Sequence, residues 1–109
     1  MIGSAEGRMR PRILRLWESI RIPPEKWRED RYGSEGGGFW AVAVVGNQVL
    51  WYNDIEDGFN WSPYVVAGDI AAYFCNQDTL EMAVRQMAIL IATGRTSVAR
   101  RGPAIDNEP

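Results

Sequence analysis

Apolar and polar positions are most regularly ordered between Phe39 and Asn53. Phe39 to Val45 is built from aromatic and β-branched residues with alanines between them. It is apolar on both faces, which predicts a central strand covered on both sides. Gly46-Asn47 then predicts a two-residue hairpin turn. Gln48 to Asn53 predicts the returning strand, with Val49 and Trp51 on one face and Leu50 and Tyr52 on the other. Asp54 to Gly58 reads as an acidic turn in which Gly58 takes a left-handed conformation. Phe59 to Ile70 predicts a further strand or a pair of short ones, broken at Pro63 and most strand-like at Tyr64-Val65-Val66. The proline argues for an edge position. After a link over Ala71 to Gln77, the period changes to that of a helix. Leu80, Ala83, Val84, Met87 and Ile91 share one face, with Asp78 as N-cap, Glu81 completing a capping box and Gly94 ending the helix. The helix therefore covers about residues 78–93.

The flanks are less regular. Residues 1–11 contain Gly3, Gly7 and Pro11 without periodicity, which predicts a disordered start. Arg12 to Ile22 fits two patterns. Ile13, Leu16, Trp17 and Ile20 have helical spacing, whereas Leu14, Leu16, Ile20 and Ile22 fit a strand interrupted by Glu18. Pro23 forces Ile22 into extended geometry, which favours the strand. Pro23 to Trp27 then reads as a stiff turn, with Pro24 able to open a short helical turn. Arg28 to Gly38 reads as a loop ending in a glycine triplet. No Lys-Ser or Lys-Thr follows that triplet, and a strand rather than a helix comes next, so it is not a phosphate loop. The tail, 95–109, is rich in arginine, glycine and proline and reads as disordered. The sum is one α+β domain over 12–94. It has a small antiparallel sheet of three to four strands around the hairpin 39–53, with the C-terminal amphipathic helix on one face.

Charge changes this picture more than size does. The 109-residue chain has a net charge of −2, but no lysine or arginine lies between Tyr32 and Val84, where seven acids and ten of the twelve aromatics fall. The basic excess sits on the flanks, so the centre suits a cationic partner and not a nucleic-acid backbone. Histidine is absent and Cys75 is the single cysteine. The commonest metal ligand, the usual general base and any intrachain disulfide are thereby excluded. No metal site and no cofactor are expected, and the cysteine usage suits a reducing, cytoplasmic setting. Met1 to Arg12 is polar and basic with no apolar stretch, which predicts no secretory leader. Met87 to Ala92, the longest apolar run near the end, is too short to cross a bilayer.

The acidic turn is the main candidate for chemistry. As a calcium loop it fails, because Ile55 and Tyr64 stand where oxygen ligands are needed. Asp54 and Glu56 are close enough in sequence to suggest an acid–base pair acting on a sugar, but carboxylates on one small turn mostly form a solvated surface. Cys75 lacks a histidine to activate it. No catalytic residue is assigned.

Four segments, Ile22-Pro23-Pro24-Glu25-Lys26-Trp27, Gly36-Gly37-Gly38-Phe39-Trp40, Trp51 to Asn60 and Cys75-Asn76-Gln77-Asp78, resemble those of a group of small bacterial proteins of about this length. The resemblance spans roughly Ile13 to Met87. That group has no established activity, so the likeness implies no function. In size and charge alone the chain is also similar to the small acidic immunity proteins of bacterial toxin systems.

The function expected from these residues is a non-enzymatic, cytoplasmic protein-binding domain. Tyr52, Asp54, Glu56, Asp57, Phe59 and Trp61 would meet a basic protein partner, as an immunity-type inhibitor does; neither nucleic acid nor membrane is involved. Trp61 is placed evenly between core and interface. Two alternatives remain at this level. One is a small carbohydrate- or ligand-acting enzyme using Asp54 or Glu56. The other is a structural homo-oligomer that buries its tryptophans between subunits.

Overall fold

The structure is a computed structural model that describes residues 1–33 and 37–94. The expected 95–109 tail and Gly36 of the glycine triplet lie outside the described residues. Four strands, β1 (Arg21–Trp27), β2 (Phe39–Val45), β3 (Gln48–Asn53) and β4 (Gly58–Pro63), form one antiparallel sheet in the order β1-β2-β3-β4. Among the described residues three helices accompany it: α1 (Ile2–Arg8), α2 (Pro11–Ile20) and α3 (Leu80–Thr93). The fold is α+β, and α3 contacts β4 and both N-terminal helices. No helix among the described residues is long and apolar enough to cross a membrane.

The strand alternation sets up two cores. Val42, Leu50, Trp61 and Trp17 pack with Leu80, Val84 and Met87 beneath the helices. On the opposite face, Phe39, Val49 and Trp51 pack with Trp27, Ile70 and Tyr73. Among the described residues no helix packs in this second core. It is covered by the irregular segment 64–77, tied to the end of β1 by a bridge between Arg28 and Asp69. A buried irregular backbone must find hydrogen-bond partners, and here side chains of β3 and β4 provide them. Ser62 Oγ donates to Ala72 O at 2.7 Å. Asn60 donates to Asn76 O at 3.1 Å and accepts from Asn76 N at 2.9 Å. At the surface end of the bridge, hydrogen bonding from the Arg28 guanidinium holds the Asp69 carboxyl below its usual range.

The hairpin forms as expected, with Gly46 at φ +57° in its turn. Strand β4 occupies the predicted edge. Several other expectations are corrected. Residues 1–11 are not a disordered start: α1 forms there, and its Ala5 and the following Met9 are buried in the helix-side core. Arg12 to Ile20 is helical, not a strand. Pro11 at the first helical position presets φ without losing a hydrogen bond, and the helical face carries Trp17 fully into the core. The strand begins only at Arg21, so Pro23 to Trp27 is part of β1 rather than a turn. The two prolines are tolerated because β1 is a sheet edge, and the register shifts where they lie. Tyr64-Val65-Val66 is not a strand, and Val65 is 91 % exposed. The α3 N-cap is Thr79, whose side chain accepts from Met82 N at 3.3 Å, while Asp78 instead accepts from Gln86 Nε2. Ile91 faces outward rather than joining the buried face.

Candidate functional site

Strand β3 ends at Asn53, which is 0 % exposed although polar. Its side-chain oxygen accepts from Ile55 N at 3.0 Å and Glu56 N at 3.2 Å, folding the acidic turn around itself. Its amide donates to Tyr73 OH at 2.9 Å and Phe74 O at 3.1 Å, so all four hydrogen-bonding positions of the side chain are filled. Gln77 Nε2 adds a clamp from outside by donating to Glu56 O at 3.1 Å. The turn is therefore fastened at its base to the segment covering the second core, although its acidic tip is open.

Asp57, not Gly58, takes the left-handed conformation, with φ +57°. Aspartate is one of the few residues that adopts it readily. Gly58 serves a different need. A Cβ there would lie 2.3 Å from Asn76 O and 2.4 Å from Gln77 Cα, so only glycine lets β4 approach the 76–77 backbone so closely.

The structure divides the six predicted site residues. Asp54 and Asp57 are exposed, and Tyr52 and Glu56 are half-buried. Phe59 and Trp61 are core. Trp61 is only 5 % exposed, and its Nε1 donates to Ala83 O of α3 at 2.8 Å. Neither can anchor a partner on the surface. Two apolar residues outside the expected six are exposed instead. Ile55, at 55 % exposure, lies within the acidic turn, and Trp40 is 45 % exposed.

Cross-strand register explains how Trp40 joins the site. Lys26, Trp40, Tyr52 and Phe59 lie directly opposite one another on successive strands and so project from one face. The row runs from the buried Phe59, whose ring centre is 5.1 Å from that of Tyr52, to the open Trp40. The Lys26 ammonium lies 5.2 Å from the Trp40 ring centroid. Tyr52 OH donates to Asp57 Oδ1, linking the aromatic row to the acidic turn. This hydrogen bond, then partial burial and then the charges of Asp57 and Asp54, raise the Tyr52 phenol above its ordinary range.

Burial raises the Tyr73 phenol as well. A spectrophotometric titration is therefore expected to show Tyr52 and Tyr73 ionising later than ordinary tyrosine. Asp57→Ala should lower the Tyr52 phenol, with partial burial and the charge of Asp54 still raising it. The sign follows from the raised folded value: the stabilisation from the Tyr52–Asp57 hydrogen bond is complete below the unfolded phenol pKa of about 10 and is lost as pH rises through the folded one. A Tyr52 phenol unmoved by Asp57→Ala would contradict this geometry.

Among the described residues the acidic turn carries its charge without an ion-pair partner. Among the described residues the ion pairs are Arg8–Glu81, Arg21–Glu6 and Arg28–Asp69, and none involves Asp54, Glu56 or Asp57. No group of three metal-ligating side chains converges among the described residues. Cys75 is a half-buried free thiol beside the second core. No family model, curated protein or solved structure matches the chain.

Proposed function

We propose that this is a non-enzymatic, cytoplasmic protein-binding domain whose acidic and aromatic surface docks on a basic protein, an immunity-type inhibitor of a basic toxin being one concrete form. The observation that carries the reading is the join between an anchored acidic turn, without ion-pair partners among the described residues, and the exposed end of an aromatic row. Asp54, Glu56 and Asp57 steer a cationic partner towards the turn. Trp40, Tyr52 and Ile55 supply apolar contact once water is excluded. Anchoring through Asn53 lowers the ordering cost of association.

The test is capture from the lysate of the native host, followed by reconstitution with the purified partner. Wild type should retain a basic protein that is lost from the Asp54→Asn, Glu56→Gln, Asp57→Asn triple variant. Trp40→Ala should weaken the reconstituted complex by about 2 kcal/mol, roughly thirty-fold. Binding should weaken steeply with added salt. Equal capture by wild type and the folded triple variant would sink the reading.

A further inference from the structure

A second surface has chemistry complementary to the acidic turn. The start of α2 and the C-terminal half of α3 enclose an apolar groove of about 610 Å³. Ile13, Ile89 and Ala92 lie along it, and Arg10, Arg12 and Arg85 flank it. Among the described residues none of these three arginines forms an ion pair. The acidic turn has the inverse composition: Ile55, more than half exposed, is set among Asp54, Glu56 and Asp57. We infer that the turn of one copy of this chain docks in the groove of a second copy, Ile55 entering the apolar floor while the carboxylates meet the arginines. The inference rests on the reading of the turn as a docking surface and names a second copy as a basic partner.

A chain cannot satisfy its own groove in this way. Gln77 holds the turn beside the N-terminal end of α3. The middle of the groove, near Ile89, is nine residues beyond Leu80, roughly 14 Å further along the helix axis at 1.5 Å per residue. The Asn53 hydrogen bonds prevent the turn from swinging across that span. Turn and groove are different patches, so a single contact leaves one turn and one groove open on the pair, for a third copy or for a reciprocal second contact. One turn covers much less than the roughly 800 Å² per partner of a stable interface, so association is weak and depends on concentration. Guanidinium–carboxylate pairing sets its salt dependence.

The experiment is sedimentation velocity on the full chain at low salt over rising concentration. Wild type should show a mass that climbs beyond the monomer and falls back with added salt. A groove variant, Arg12→Ala with Arg85→Ala, and a turn variant, Asp54→Asn with Asp57→Asn, should each remain monomeric. Mixed together they should form a one-to-one dimer and nothing larger, since only one intact groove and one intact turn are present. That restoration also shows that both variants are folded. A monomeric wild type at about millimolar concentration, a level at which even weak contacts are populated, would overturn the inference. So would self-association that persists in both variants, or a mixture that stays monomeric. A monomeric wild type whose capture of another basic protein still requires the turn would remove self-docking and leave the proposed function standing. If capture is also independent of the turn, both fall.

Discussion

Trp61→Ala is expected to cost about 3–5 kcal/mol of folding free energy, the range for removing a large aromatic side chain from a packed core. Trp61 lies on β4 against the helix-side core, and its indole N–H bonds to Ala83 O within α3. Truncation leaves a cavity between sheet and helix and removes a link between them. Domains of this size have about 5–15 kcal/mol of stability in all, so the loss is large. Trp40→Ala should behave differently. Trp40 is half in solvent and its packing partner is the Lys26 side chain, so the expected cost is within about 1 kcal/mol. Chemical denaturation of the two variants beside wild type measures both values. A Trp61→Ala protein as stable as Trp40→Ala would mean that α3 is not docked through β4 as described.

That contrast also marks what could be read from the chain. The two tryptophans look alike in sequence, each flanked by strand-forming residues, and their placement depends on long-range packing. Trp61 is buried because α3 crosses β4, whereas Trp40 is left open because the aromatic row extends past the covered part of the sheet. The hairpin, the edge position of β4 and α3 were legible because each follows from local patterning. Alternation placed Val49 and Trp51 opposite Leu50 and Tyr52, glycine marked the turn, and a helical face began at Leu80.

The N-terminal half was harder to read for an identifiable reason. Ile13, Leu16, Trp17 and Ile20 already had helical spacing, but Pro23 argued for extended chain nearby. The proline effect is real and acts only locally: it fixes Ile22, inside β1, and does not reach back across Arg21 into α2. Helix α1 has little pattern of its own; it forms where Ala5 and Met9 can join a core built largely by later residues. At the candidate site, the acidic residues were legible by composition. The buried role of Asn53 was not, since an asparagine before an acidic turn looks like ordinary surface.

Asn53 is for that reason the residue whose replacement should most directly connect fold and function. Asn53→Asp keeps the shape but removes both amide hydrogens, leaving Phe74 O without its donor and placing a second acceptor against it. The expected cost is about 3–5 kcal/mol, in the range for a buried, uncompensated charge. Asn53→Ala abolishes all four side-chain contacts without adding charge and should cost about 1–3 kcal/mol through buried groups left unmade. The order matters more than either value: if aspartate is tolerated better than alanine, Asn53 is not acting through its amide. Turn order gives a separate readout. In wild type the amides of Ile55 and Glu56 donate to Asn53, so hydrogen exchange there should be slowed. Asn53→Ala should speed exchange at those two amides more than along β2 and β3. A domain that remains folded with a loosened turn should bind its partner less tightly although every carboxylate is still present, because the ordering of the turn would then have to occur during association. Unchanged affinity alongside faster exchange at the turn would show that its anchoring is structural and that Trp40 and the carboxylates bind without it.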